Sequence, residues 1–171
     1  MKRFTVLILI LTLAVSYTAV FMTGCGGGGG DITDEPDITV GYLTDEYAAQ
    51  LVRDGAGVIL GVIEITEGED GIVFVDVAER EYVESQDQPN GFYIADKNLE
   101  GTYQLSADAR ATFLAGGSSI AKPMEADEFV AAVGKDLDEY GGSDPDYKNY
   151  KLYDIYVIDD QILLLLARYL P

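Results

Sequence analysis

Residues Gly57 to Ala78 constrain the fold of this chain more than any other stretch. Gly57 to Thr66 (GVILGVIEIT) is rich in β-branched residues, whose stiff side chains suit a pleated surface. Its first half is apolar on both faces, which places it centrally in a sheet. Glu67-Gly68-Glu69-Asp70-Gly71 reads as a turn. Ile72 to Ala78 returns with Val73, Val75 and Val77 on one face and Asp76 on the other, and the strand continues toward Tyr82-Val83. The two runs form a hairpin.

The flanking sequence predicts what this hairpin joins. Thr44 is placed to cap a helix through about Arg53, with Asp45 and Glu46 at its positive end and Gly55 as its stop. Tyr47, Ala48 and Leu51 share its buried face. After the polar loop Gln86–Gly91, Phe92-Tyr93-Ile94 reads as a short strand, Asp96-Lys97-Asn98 as a turn, and Thr102–Leu105 and Arg110–Leu114 as two further strands. Gly116-Gly117-Ser118-Ser119 breaks the chain. Ala126 to about Leu137 is a helix with Phe129, Val130, Val133 and Leu137 on one face, and acids in its first turn. Tyr140 to Asn149 is a loop, and Tyr150–Ile158 and Gln161–Tyr169 form a closing hairpin about Asp159-Asp160. The fold class that follows is α+β: about six to eight mainly antiparallel strands in a strongly curved sheet or small, partly open β-barrel, with two short helices.

Composition excludes much chemistry. The chain has no His, no Trp and one Cys among 171 residues. The commonest general base and the commonest transition-metal ligand are absent, so the usual zinc sites cannot be built. Net charge is −19. Nucleic acid is not an expected partner, since phosphate binding needs clustered Lys and Arg. The acidic surface reads as a solvated one, with attraction of cations or basic partners as the sharper alternative.

The N-terminus follows the layout of a targeting segment: Lys2 and Arg3, an apolar run from Phe4 to Phe21, then Met22-Thr23-Gly24-Cys25 and five glycines. These residues resemble the lipobox of bacterial prolipoproteins, with Thr23 and Gly24 at the small positions and Met22 where Leu is usual. The resemblance implies a diacylglyceryl group on Cys25 and cleavage just before it. Two acyl chains hold a protein firmly, at about 0.8 kcal/mol per buried methylene. Cleavage removes Lys2 and Arg3, so the mature charge is two units lower, −21. With Cys25 carrying lipid, the mature chain has no thiol for a disulfide, a metal or a nucleophile. An uncleaved membrane helix and simple secretion are the alternatives left open by the apolar run. The domain plan is therefore a signal segment at 1–24, an acylated cysteine and flexible Gly/acidic tether at 25–41, and a single β-rich domain at 42–171. As a coil the tether reaches roughly 20–25 Å. A looser resemblance, carried by Asn90-Gly91-Phe92-Tyr93-Ile94, the helix around Phe129 and the terminal Arg168-Tyr169-Leu170-Pro171, is to small uncharacterised extracytoplasmic domains of bacterial secreted proteins. It implies no activity.

Candidate chemistry in the mature region is sparse. Ser119-Ile120-Ala121-Lys122 matches the S-x-x-K string of penicillin-recognising serine enzymes, but Pro123 disfavours helical geometry at Lys122 and the partner strings are missing. Asp136-Leu137-Asp138-Glu139-Tyr140-Gly141 opens like a calcium loop, yet Tyr140 and Tyr147 stand where ligands are needed. An irregular calcium site from Asp138, Asp144 and Asp146 stays open, as does a cation at the Glu67, Glu69 and Asp70 hairpin tip. Close carboxylate pairs, as in glycosidases, are expected by chance among 30 acids. Tyr150, Tyr153 and Tyr156, with Tyr82, Tyr93 and Tyr103, are either ordinary sheet residues or a tyrosine-lined ligand patch.

These features predict a lipid-anchored extracytoplasmic protein on the cell membrane or outer membrane. Its domain is expected to be a non-enzymatic binding module for an envelope protein or small ligand, with membrane contact through lipid on Cys25 and no cofactor. A calcium-stabilised structural module and a carboxylate-based enzyme acting on an envelope substrate are the alternatives.

Overall fold

The β-branched run and its return form β1 (Gly57–Glu67) and β2 (Val73–Glu84), antiparallel, with Ile63 opposite Val77 and Ile65 opposite Val75. They belong to a computed structural model that describes residues 38–142, 144 and 146–169. The signal segment, Cys25 and the tether as far as residue 37 lie outside the described residues. Six strands are described: β3 is Phe92–Phe113, β4 Lys122–Glu125, β5 Leu152–Ile158 and β6 Gln161–Arg168. Their order is β2-β1-β5-β6-β3-β4, and β2 also pairs with β3, so the sheet curves round into a ring. All pairings are antiparallel except β3 with β6. With α1 (Ala48–Arg53) and α2 (Ala126–Asp136), this is the expected α+β class with a strongly curved, mainly antiparallel sheet.

One correction explains how the ring closes. The three separate strands expected between Phe92 and Leu114 are one strand of 22 residues. Asp96-Lys97-Asn98 does not reverse the chain. It forms a bulge opposite Glu79, with Asn98 at φ 54° and its N–H donating to Asp96 Oδ1 at 2.7 Å. Lys97 pairs with Glu79 at 2.6 Å and Arg80 with Asp96 at 3.3 Å, pinning the bulge from both sides. A second irregularity lies between Leu105 and Arg110. The first part of β3 therefore pairs with β2, and the last part passes to β6 and β4. Lys122–Glu125, to which the sequence pattern assigns no strand, is an edge strand, which accommodates Pro123.

The first helix also starts earlier than expected. Thr39 Oγ1 accepts the Tyr42 N–H at 3.2 Å, and the chain runs through a π-type turn (Tyr42–Tyr47) into α1. Thr44 is inside this turn, and its hydroxyl donates to Val40 O at 3.0 Å rather than capping. The earlier start buries Leu43 completely. Ile38 packs on the same cluster, so the folded part takes in residues assigned from sequence to the tether.

Two apolar clusters flank β6. Ile162 and Leu165 face the larger one, with Val75, Val77, Ile155 and Phe129; Leu164 and Leu166 face the smaller one, with Leu43, Ala48 and Leu51. A register shift at Leu163, opposite Tyr156/Val157, turns the strand between these faces. Phe129 of α2 sits edge-on to Phe113 (6.2 Å) and to Tyr153 (5.6 Å). This contact seats the N-terminal half of α2 on the start of β5, beside which the site lies.

Candidate functional site

Four short segments meet beyond the end of the larger core. The chain leaves β3 through Leu114–Ser118, where Gly117 takes φ 74° and Ser118 N–H donates to Ala115 O at 3.0 Å. Helix α2 ends at Asp136 and loosens into a π-type turn, Leu137–Gly141. A short 3₁₀ turn, Tyr147–Tyr150, precedes Lys151 and β5. The last segment is the end of β6 at Arg168-Tyr169.

Asp136 joins three of them. Its side chain is only 7% exposed. Oδ1 accepts the Gly116 N–H at 2.8 Å. Oδ2 accepts the Tyr147 hydroxyl at 2.8 Å and lies 3.1 Å from Lys151 Nζ. Lys151 Nζ also donates to Leu114 O at 2.6 Å and sits over the rings of Phe113 and Tyr147, 5.3 and 5.1 Å from their centroids. A buried carboxylate needs such partners, because desolvation without them is prohibitive. Burial, then the hydrogen bond and charge of Asp136, push the Tyr147 phenol well above its usual range. Tyr153, buried behind them, is raised mainly by desolvation. Tyr140 stacks on Tyr147 at 5.7 Å, over Gly116. A Cβ at Gly116 would stand 2.6 Å from the Tyr140 ring and 2.8 Å from the Tyr147 oxygen, so glycine is what lets the stack close.

The result is an open cleft of ≈ 490 Å³, lined by the Leu114–Ser118 turn, Tyr147, Tyr150, Lys151, Arg168 and Tyr169. Tyr150 and Tyr169 are 65% and 58% exposed. The size falls within the range of small-ligand sites. A groove of ≈ 620 Å³ on β1–β2–β3 is more polar and carries the exposed Lys148–Glu64 ion pair. A third, of ≈ 590 Å³ between α2 and the β1–β2 turn, has no aromatic side chain in its wall.

The residues singled out from sequence are distributed differently. Asp138 is exposed on the π-type turn. Asp144 Oδ1 accepts the Asp146 N–H at 2.9 Å, and Asp146 Oδ1 accepts from the Asn149 amide at 3.3 Å, so both carboxylates serve their own loop. Among the described residues no group of three or more acids gathers as a metal site would require. Ser119 and Lys122 share no helical turn, and Ile120 between them is 73% exposed. Of the tyrosines, Tyr150 lines the cleft, Tyr153 is core, and Tyr156 packs on the smaller cluster. Cys25 lies outside the described residues. Asp136 was legible only as a ligand position of a failed calcium loop. The helical period carried the better signal: it falls seven residues after Phe129, on the same buried face.

Among the described residues no helix is long and apolar enough to cross a membrane. No protein-family model, no curated protein and no solved structure matches the chain.

Proposed function

We propose that the protein is a lipid-anchored extracytoplasmic lipoprotein whose folded domain is a binding module, with the tyrosine-walled cleft as its ligand site. The observation that carries the reading is the state of the cleft's chemical groups. The carboxylate behind its wall, Asp136, is bound by three protein partners and does not line the cleft, and the phenol of Tyr147, which does, is held in its protonated form. Such groups make a rigid wall more readily than a nucleophile or a base, while Tyr150 and Tyr169, also in the wall, are more than half exposed. The anchoring half rests on the lipobox-like Met22-Thr23-Gly24-Cys25 and the glycine run behind it.

Two measurements on protein extracted from membranes in detergent test the two halves. Mass spectrometry should find an N-terminal peptide that begins at Cys25 and carries acyl chains; an intact N-terminus with a free sulfhydryl removes the anchor. A fragment screen followed by NMR should shift amides in 114–118 and 147–151. Shifts confined to the other two grooves remove the cleft as the ligand site.

A further inference from the structure

Resting on that assignment of the cleft, we infer that its ligand is an uncharged saccharide chain. The first argument is charge. Lys151 and Arg168 are the only charged side chains among the described residues of the wall, and each already faces a carboxylate of the protein. Lys151 is 3.1 Å from Asp136 and donates to Leu114 O; Arg168 places Nε and Nη2 3.1 and 2.9 Å from one oxygen of Asp154. An anion at Lys151 would have to break its buried pair with Asp136, and one at the part-exposed Arg168 would compete with Asp154, in both cases while approaching a chain of charge −19. A cation finds no carboxylate in the wall. A neutral ligand meets neither penalty.

The second argument is the surface offered. Tyr150 and Tyr169 both line the cleft and are each more than half exposed, and a tyrosine offers an apolar ring together with a polar phenol. Pyranose rings have a matching division: an apolar C–H face that rests on an aromatic ring, and equatorial hydroxyls that reach polar rims. Neither phenol has a hydrogen-bond partner among the described residues, so both can serve ligand hydroxyls. A fatty ligand would find too little enclosure, because the cleft is open to solvent. An open cleft suits a chain that enters and leaves it.

The third argument is rigidity. The Asp136 network ties the Leu114–Ser118 turn, the α2 end and the 3₁₀ turn together before any ligand arrives. Weak, shallow ligands such as sugars gain most from a preorganised wall.

Isothermal titration calorimetry on the full mature chain in detergent, with chitotetraose and maltotetraose as probes, tests this. The expected result is saturable binding of at least one oligomer. Tyr150→Ala should weaken it by about tenfold, the scale of one lost ring contact. Leu99→Ala, on exposed β3 and outside the cleft, should leave it unchanged. Raising salt to about 0.5 M should alter the Kd by less than about twofold, since no free charge takes part. If neither oligomer binds at about 10 mM while NMR fragments still perturb 114–118 and 147–151, the saccharide inference is overturned and the cleft assignment stands. If fragments perturb only other regions, both fall. Binding that survives Tyr150→Ala and Tyr169→Ala together also overturns the inference.

Discussion

The hydroxyl of Tyr147 lies 2.8 Å from Oδ2 of Asp136, joining the end of α2 to the turn before β5. The same oxygen faces Lys151, and the other oxygen holds the Gly116 N–H. One carboxylate therefore sets the relative positions of three segments whose own sequences specify only turns.

Replacing Asp136 by Asn should destabilise the domain by about 3 kcal/mol, at the low end for a broken buried pair because Lys151 keeps some water contact. Urea denaturation followed by far-UV circular dichroism measures it. A loss below about 0.5 kcal/mol would mean that the network is incidental to the fold.

Gly116→Ala acts on the same place from the other side. The new methyl would meet the Tyr140 ring at 2.6 Å and the Tyr147 oxygen at 2.8 Å. Because Tyr140 is near the surface its ring can swing away, so the expected loss is only about 1 kcal/mol. The stronger readout is the broken Tyr140–Tyr147 stack. The chain has no Trp, so the change is read as a difference in near-UV circular dichroism from its 12 tyrosines between variant and natural chain.

Alkaline pH should unfold the protein through its raised phenols. Tyr153 and Tyr147 hold their protons in the folded state above the ordinary value of 10.0, and unfolding releases them. Their contribution is full below about pH 10 and declines as pH climbs toward the folded values. Tyr153, 2% exposed, supplies a slope of up to about 1.4 kcal/mol per pH unit; Tyr147, at the cleft wall, adds less. Denaturation midpoints between about pH 9 and 11 should fall for the natural chain, and fall less steeply for Tyr147→Phe. Parallel slopes would show that Tyr147 titrates alike in both states.

Gly61→Ala tests the close approach of β1 and β2. Its Cβ would lie 2.8 Å from Val77 Cγ1 and 2.9 Å from the Ala78 carbonyl oxygen, neither of which can retreat in a paired central strand. A loss of about 2–3 kcal/mol in a thermal or urea melt is expected.

Asp160→Gly should stabilise. Asp159 and Asp160 both take positive φ, 49° and 61°, in the two-residue turn between β5 and β6. Glycine adopts that geometry without the Cβ clash, and one carboxylate of an adjacent pair is removed. A gain of about 0.5–1 kcal/mol is expected by the same melts.

Legibility differed between elements for physical reasons. The β1–β2 hairpin, α2 and the β5–β6 hairpin were readable because apolar periodicity and turn residues agreed locally. Strand β3 was not, because Asp96-Lys97-Asn98 has turn chemistry, and whether such residues reverse a chain or bulge it depends on the partner strand. The start of the first helix was misplaced because Thr39 and Thr44 offer similar caps, and only burial of Leu43 separates them. The cleft is legible only in part: Tyr150 belongs to the tyrosine pattern of the sequence, but Tyr169 does not, and Asp136 stands out by helix face and not by loop spacing.

By itself the sequence determined the α+β class, the two hairpins and the absence of imidazole and indole, since these follow from local pattern and composition. Only the tertiary structure decided that β3 runs unbroken to close the ring, that Asp136 is a buried junction, and that Tyr150 and Tyr169 share one cleft. Those outcomes depend on which segments meet across tens of residues, and no local propensity records such a meeting.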